Sequence, residues 1–207
     1  MATGRTPIAI IDYGVGNLRS LANAIEEIGH EPELIDDPEV LLKADRIILP
    51  GVGAIEPAMR TLRTNGFVEP IFECAKRGTP ILGVCLGMQL LCTSSYENGT
   101  HEALDLIDAE ILPFDPDVGL KIPHIGWNSI SWDQTHPLLD GIAPSSDVYF
   151  VHSFHASCQH DSNVLAWTEY GEKFASMLVK DNILGAQFHP EKSQYVGLKI
   201  LQNFVGL

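Results

Sequence analysis

The sequence Pro80-Ile81-Leu82-Gly83-Val84-Cys85-Leu86-Gly87 joins a predicted buried strand to a predicted helix. Its strand portion is apolar throughout, as expected for a strand covered on both faces of a parallel sheet. Residues 88–91, Met-Gln-Leu-Leu, are where the helix is predicted to begin. A buried strand followed at once by a helix is typical of the α/β class.

The same alternation of elements precedes this junction. Ile8–Ile11 and Ile47–Leu49 are short β-branched or aliphatic runs that predict further buried strands. Apolar residues at helical spacing predict helices over residues 18–28, 58–62 and 68–75. The sequence therefore predicts a flavodoxin-like α/β fold, in which a central, mostly parallel sheet is flanked by helices.

The sequence pattern changes from about residue 107 onward. Short apolar segments alternate there with Pro, Gly and Asp turns, which favours a small antiparallel section. The candidate strands are residues 111–112, 148–151, 164–167, 176–179 and 183–188, and a terminal helix is predicted over residues 195–204. No repeat or linker divides the sequence, so a single domain spanning residues 1–207 is expected.

Composition limits the classes of function. The 207 residues carry a formal charge of -14, and both nucleic acids and anionic membranes require a basic surface instead. The four cysteines form no CxxC pair, which favours a reducing compartment without disulfides. Residues 1–7 lack an apolar export signal, and no apolar run is long enough to cross a bilayer. We therefore expect a soluble cytoplasmic protein that contacts neither nucleic acid nor membrane.

Residues 83–87 have the form G-x-C-x-G at a strand-to-helix turn, the pattern of a nucleophile elbow. Glycines relieve crowding at such a turn, and the positive end of the following helix favours a thiolate at Cys85. The N–H of Leu86 would then point into an oxyanion site. The alternative is that Cys85 is a small buried apolar residue. That structural interpretation is preferred for the cysteines without a glycine frame, Cys74, Cys92 and Cys158.

A base for the cysteine is available in His189-Pro190-Glu191, directly after the predicted strand 183–188. Residues two apart on an extended backbone project to the same side, so Glu191 could orient the His189 imidazole. Pro190 would stiffen this segment. Without Cys85, an ordinary polar surface loop would be the preferred interpretation. The chain order Cys, His, Glu differs from the Ser, Asp, His order of α/β-hydrolases.

Two glycine-containing turns follow the first strands. Residues 50–53, Pro-Gly-Val-Gly, could turn a backbone N–H toward the same oxyanion site, or could be a plain turn. Residues 12–17 contain G-x-G without the third glycine of a dinucleotide-binding loop.

His124, His152 and His155 suggest a metal site, but no carboxylate cluster accompanies them. We therefore expect neither a cofactor nor a metal ion.

Residues 50–53, 83–89 and 189–191 together resemble the class I (triad) glutamine amidotransferases. The resemblance implies that Cys85 is the nucleophile, His189 the base and Glu191 its partner, acting through a glutamyl thioester. The oxyanion hole is expected at the N–H groups of Val52 and Leu86, beside Gly51. Gln89 and, less directly, Glu97 would hold the substrate glutamine.

Within this family the chain is most similar to the glutaminase subunits of imidazole glycerol phosphate synthases, in histidine biosynthesis. The similar stretches are residues 12–17, 123–128, 149–154 and 189–193. The resemblance implies a heterodimer in which ammonia passes to a cyclase subunit, a (β/α)₈ barrel. The residues expected to face the cyclase are Asn17, Trp127, Tyr149 and Lys192, although the aromatic residues could also be ordinary core or rim residues.

Three alternatives remain open at this point. A different triad amidotransferase, serving anthranilate or GMP synthesis, would carry the same triad and respond to a different synthase. A stand-alone thiol hydrolase, such as a γ-glutamyl hydrolase, would need no partner. A binding module with a relic triad is disfavoured by the intact Cys85, His189 and Glu191.

Overall fold

The computed structural model describes residues 7–115 and 119–207. In chain order its strands are β1 (Ile8–Ile11), β2 (Pro32–Ile35), β3 (Ile47–Leu49), β4 (Ile81–Val84), β5 (Cys92–Ser95), β6 (His101–Glu102), β7 (Ile107–Pro113), β8 (His124–Ile130), β9 (Ser146–His152), β10 (Phe154–Cys158), β11 (Val164–Tyr170), β12 (Glu172–Lys180) and β13 (Ile183–Ala186). The α-helices are α1 (Leu18–Glu27), α2 (Pro38–Leu41), α3 (Ile55–Thr64), α4 (Val68–Lys76), α5 (Leu86–Leu90) and α6 (Gln194–Gly206). Short 3₁₀ helices span Pro137–Leu139, Asp161–Asn163 and Pro190–Lys192.

One half of the large sheet is parallel, in the order β2-β1-β3-β4-β13. Beyond β13 the order continues through β12, β10, β7, β5 and β6, and all but one of these pairings are antiparallel. Strand β11 pairs with β12, while β8 and β9 form a separate antiparallel ribbon. The predicted α/β class, with flanking helices and an antiparallel section, is confirmed.

The parallel strands inside the edge strand β2 carry no polar side chain, because both of their faces are covered. On β3, Ile47 and Leu49 lie in a core layer with residues of α3 and α4. Ile48 between them lies in a second layer with residues of α1 and α6. Alternate residues of a strand point to opposite faces, so helices on both sides require an unbroken apolar run.

Most of the predicted elements are confirmed, with small shifts at their ends. The helix predicted from residue 88 is the exception, because α5 ends at Leu90 and the chain then enters β5. The predicted strand 183–188 also ends earlier, at Ala186. Strand β2 was not predicted: it reads Pro-Glu-Leu-Ile at the sheet edge with only Ile35 buried, so it carries no apolar run.

Parallel pairing of β4 with β13 positions the site. Val84 lies opposite Ala186, and the N–H of Cys85 donates to the Ala186 carbonyl at 2.8 Å. The chain after each strand therefore emerges at the same sheet edge, where parallel sheets build their sites.

Among the described residues, no helix is both long and apolar enough to cross a membrane. The expectation about an export signal concerns residues 1–7, of which residues 1–6 lie outside the described part.

Candidate active site

Cys85 occupies a sharp turn between β4 and α5. Its backbone has φ 55° and ψ -111°, a conformation that is unfavourable for a residue with a side chain. The turn is held by the bond from the Cys85 N–H to Ala186 and by the Met88 N–H, which donates to the Cys85 carbonyl at 3.1 Å. The thiol is almost buried, at 7% exposure. This backbone directs the sulfur out of the turn, as a nucleophile elbow requires.

The two glycines that frame Cys85 are required by close backbone contacts. A Cβ on Gly87 would lie 1.8 Å from the Leu49 carbonyl oxygen. A Cβ on Gly83 would lie 2.6 Å from the Gly87 carbonyl oxygen. Strand β3, strand β4 and helix α5 therefore pack backbone against backbone at the elbow, which explains the glycine frame in the sequence.

Helix α5 is too short to supply the strong helix dipole at the Cys85 sulfur that the sequence predicted. A helix of five residues carries less aligned backbone dipole than the longer helix expected there. Leu86 is its first helical residue, and an N–H at that position has no acceptor within the helix. The Leu86 N–H, rather than a long helix dipole, is therefore the main polar group that this helix offers beside the sulfur.

His189 and Glu191 form a buried pair, with Nδ1 of the imidazole 2.8 Å from Oε1 of the carboxylate. Their side chains are only 3% and 1% exposed. The pairing is as expected, but its predicted cause was wrong. Glu191 lies in the 3₁₀ helix Pro190–Lys192, so the tight turn, and not an extended backbone, returns its carboxylate to the imidazole.

The charge on His189 reflects opposing influences. Burial lowers the pKa of His189, but hydrogen bonds with Cys85 and Glu191 outweigh burial and raise this pKa to about 9. A carboxylate on one side and the sulfur on the other both favour the imidazolium. The site therefore holds a proton on His189 at neutral pH.

The loop after β3 packs directly against the elbow. The Tyr13 hydroxyl donates to the Pro50 carbonyl at 2.9 Å, and this buried phenol has a raised pKa because of its desolvation and the nearby Cys85. A Cβ on Gly51 would lie 2.9 Å from both the Gly87 nitrogen and the Leu86 Cβ. Gly51 thus allows the loop to lie against α5, and it brings Val52, 44% exposed, to the site.

A cavity of about 290 Å³ lies over the sulfur. It is lined by Val52, Gly53, Cys85, Leu86, Gln89, Glu97, Pro123, Val151, His152, Ser153, Phe154, His189 and Lys192. Most of the predicted site residues therefore meet at one opening. Gly51 and Glu191 are not part of the lining: Gly51 supports the loop, and Glu191 is hydrogen-bonded to His189.

Gln89 and Glu97 both line this cavity, and both are also fixed by contacts within the chain. The Gln89 Nε2 donates to the Phe154 carbonyl at 3.2 Å and to Oε1 of Gln187 at 3.0 Å. Glu97 accepts a bond from the Ile55 N–H at 3.0 Å, which caps the start of α3. Each side chain is therefore preorganised toward the cavity.

Three of the four residues predicted to face a partner form one cluster. Trp127 and Tyr149 pair across β8 and β9, with ring centroids 6.0 Å apart. The Lys192 Nζ lies 5.8 Å from the centre of the Tyr149 ring. Trp127 is 48% exposed, so this cluster presents apolar surface. Asn17 is exposed at the start of α1 and is not part of this cluster.

Gln187 was not among the residues predicted from the sequence. This amide is fully buried between Gln89 and the Cys85 sulfur. A polar residue just after an apolar strand, two positions before His189, was the available signal.

Two of the three histidines considered for a metal ion, His124 and His152, form a hydrogen-bonded pair, and His155 Nε2 lies 3.5 Å from the Glu172 carboxylate. Nδ1 of His124 lies 2.9 Å from Nε2 of His152, and the rings pack among aromatic side chains. Burial lowers the pKa of His124 to about 4 and that of His152 to about 3. No group of three or more His, Cys, Asp or Glu side chains within residues 7–115 and 119–207 is arranged to hold a metal.

The family model for class-I glutamine amidotransferases matches residues 9–206. The chain belongs to this family. Its fold agrees with solved amidotransferase-family structures, which at this level of identity are evidence of fold alone. A solved glutamine amidotransferase covers 96% of the chain and 99% of its own length, at 17% identity and a TM-score of 0.75. The structure of PurLQS from Thermotoga maritima covers 98% of this chain and 99% of its own length, at 20% identity and a TM-score of 0.71.

Curated relatives place this amidotransferase more narrowly, in the HisH family of imidazole glycerol phosphate synthase subunits. The HisH of Syntrophotalea carbinolica is 45% identical, over 95% of this chain and 98% of its own. The HisH 1 of Campylobacter jejuni is 48% identical, over 97% of this chain and 100% of its own. The HisH of Methanosarcina barkeri is 49% identical, over 97% of this chain and 98% of its own. These relatives span nearly the whole amidotransferase chain.

Proposed function

We propose that this amidotransferase is the glutaminase subunit of an imidazole glycerol phosphate synthase, folded as one domain over residues 1–207. Cys85 is the nucleophile, His189 the general acid and base, and Glu191 the group that orients His189. The observation that carries the proposal is the meeting of an elbow cysteine and a buried His-Glu pair at one cavity, in a chain of the HisH family.

The reaction begins when the Cys85 thiolate attacks the side-chain amide carbon of glutamine. The resulting oxyanion accepts hydrogen bonds from the N–H groups of Leu86 and Val52, which Gly51 holds against α5. His189 gives its proton to the departing nitrogen, so that ammonia leaves and a glutamyl thioester remains. Neutral His189 then takes a proton from water as it attacks the thioester, and glutamate and the thiol are released.

The substrate amino acid is proposed to lie between Gln89 and Glu97. The Glu97 carboxylate supplies negative charge at the cavity, which suits the α-ammonium group of glutamine. The Gln89 NH₂ already binds the Phe154 carbonyl and Gln187, so its carbonyl oxygen is the part left to accept a donor from the substrate. Both side chains therefore favour a free amino acid with its ammonium group inward.

The partner is proposed to be the cyclase subunit, a (β/α)₈ barrel, in a cytoplasmic heterodimer. Ammonia released into neutral water becomes mostly ammonium, which cannot attack an electrophile, so a shielded path to a synthase preserves its reactivity. The cluster of Trp127, Tyr149 and Lys192, together with exposed Asn17, is the surface proposed to receive the cyclase. The cyclase would use the ammonia to form imidazole glycerol phosphate and AICAR.

Hydrolysis without a loaded partner would waste glutamine. We infer that the isolated chain is slow because its oxyanion hole is completed only when the cyclase is loaded. Gly53 has φ 92°, and the loop that contains it also carries Val52, so this loop is the proposed gate.

The test compares synthases directly. Purified chain is mixed separately with a cyclase, an anthranilate synthase component and a GMP synthetase component, and glutamate production is measured. Stimulation by the cyclase alone supports the proposal. Stimulation by another synthase would reassign the partner, and fast hydrolysis of γ-glutamyl substrates without any partner would indicate a free-standing hydrolase.

A further inference from the structure

Gln187 connects the reacting sulfur to a residue that lines the cavity. It follows β13 and is fully buried, at 0% exposure. Its Oε1 accepts the bond from Gln89 Nε2 at 3.0 Å, and its own Nε2 donates toward the Cys85 sulfur at 3.9 Å. A single amide therefore contacts both the nucleophile and the residue proposed to bind the substrate.

Only one orientation of these two amides satisfies all of their partners. The Phe154 carbonyl can only accept, so the NH₂ group of Gln89 must face it and the neighbouring Gln187. Gln187 must then turn its oxygen to Gln89. Its NH₂ group is left to face the sulfur, to which it can donate a hydrogen bond.

We propose that Gln187 is a positioning residue for glutamine hydrolysis: its NH₂ group holds the Cys85 sulfur, and its oxygen holds the Gln89 amide with the Gln89 carbonyl toward the substrate. This inference rests on the proposed function and adds a residue to its machinery. Cys85 and His189 still carry out the bond changes, and Gln187 acts by orienting Cys85 and Gln89.

The contacts of Gln187 argue against a purely structural role. Its backbone N–H is already satisfied by the Ser176 carbonyl at 2.9 Å, so the side-chain amide is not needed for the sheet. A buried amide requires polar partners that an apolar residue of the same size would not. Here those partners are the side chains of two residues that line the cavity, Cys85 and Gln89.

Two substitutions separate the two contacts. Gln187→Glu keeps an oxygen that accepts from Gln89, but it removes the donor to sulfur and adds negative charge. Gln187→Leu removes both contacts at similar size. The assays use the chain in complex with the cyclase and its ribonucleotide ligand, and they measure kcat, KM for glutamine and the pH profile of Cys85 alkylation by iodoacetamide.

For Gln187→Glu, we expect KM within about twofold of the native value, kcat lower by about tenfold to a hundredfold, and alkylation that needs a higher pH, because a donated bond to a charged group is lost. For Gln187→Leu, KM rises by about tenfold as well, since Gln89 loses its anchor. Asn182→Ala is the matched control. It removes a half-buried amide with two carbonyl partners at the other end of β13, and we expect native kinetics and native alkylation.

Complex formation with the cyclase and thermal melting report the folding of each variant. Native kcat and a native alkylation profile in Gln187→Glu would overturn this inference while leaving the proposed function intact. The inference is also overturned if Gln187→Glu lowers the melting temperature but leaves kcat, KM and the alkylation profile as they are in Asn182→Ala. If the unsubstituted chain in complex with the loaded cyclase did not hydrolyse glutamine, the proposed function itself would be overturned.

Discussion

The backbone N–H of His189 donates to the carbonyl of Tyr149 at 3.0 Å. A second connection runs through Ser193, whose hydroxyl accepts from the Tyr149 N–H at 2.9 Å and donates to the His189 carbonyl at 2.7 Å. The β8–β9 ribbon, with its exposed Trp127, is therefore bonded directly to the turn that carries the base. A protein that docks on this ribbon would contact the elements that position His189, the proposed general acid and base.

Replacing Trp127 by alanine should weaken binding of the cyclase by about tenfold to a hundredfold, because exposed tryptophans often dominate interface energies. Titration calorimetry or fluorescence with purified cyclase measures this affinity. The matched control is Phe72→Ala on α4, since Phe72 is 40% exposed and belongs to a different surface. Equal effects of the two substitutions would contradict the proposed docking surface.

Replacing Gly87 by alanine should destabilise the chain by about 3 kcal/mol, the upper end of the usual cost of overpacking, since the new methyl group would meet the Leu49 carbonyl oxygen. Urea unfolding measures the change. Gly206→Ala is the control, because a Cβ there meets open space near the end of α6, and we expect little change or a slight gain in stability. A well-folded, native-like Gly87→Ala chain would show that the elbow is less tightly packed than described.

The charge of His189 should appear in its titration. NMR of the imidazole should give a pKa of about 9 in the native chain, and lower values in Glu191→Gln and Cys85→Ala, because each change removes a group that raises this pKa. Each unit of this change is worth about 1.4 kcal/mol. A native midpoint near the ordinary histidine value of 6.5 would contradict the hydrogen-bonded arrangement.

Stability should depend on pH in two opposite ways. The raised pKa of His189 contributes stability that is complete below about pH 6.5 and is lost as the pH rises through about 9. The lowered pKa values of His124 and His152 contribute stability that is complete above about pH 6.5 and is lost as the pH falls toward about 4 and about 3. We expect chemical unfolding across this pH range to show that His124→Asn and His152→Asn lose less stability at acid pH than the native chain does. An unchanged acid profile in both variants would exclude the histidine pair as its source.

The parallel half of the fold could be predicted from sequence because its strands are buried on both faces. β3 and β4 have no polar residue to obscure the pattern, and the glycines around Cys85 report a packing constraint that is local in the chain. Strand β2 could not be recognised, since an edge strand with one buried residue has no distinctive pattern.

The candidate site was predictable only in part for a similar reason. Cys85 and His189 lie in short motifs, but the contacts of Gln187 join residues about a hundred positions apart. Such contacts depend on the pairing of β4 with β13, which no local pattern specifies. The bond between Tyr149 and His189 is likewise a product of tertiary packing.

The central claim is that Cys85 hydrolyses glutamine under the control of a cyclase partner. The most direct measurement is glutamate production from glutamine by the purified chain, alone and with the cyclase and its ribonucleotide ligand, for the native chain and for Cys85→Ala. The account predicts slow turnover by the chain alone, strong stimulation by the loaded cyclase, and no glutamine hydrolysis by Cys85→Ala, while ammonia-dependent synthesis by the cyclase survives. Fast turnover that ignores the cyclase, or persistent hydrolysis in Cys85→Ala, would contradict it.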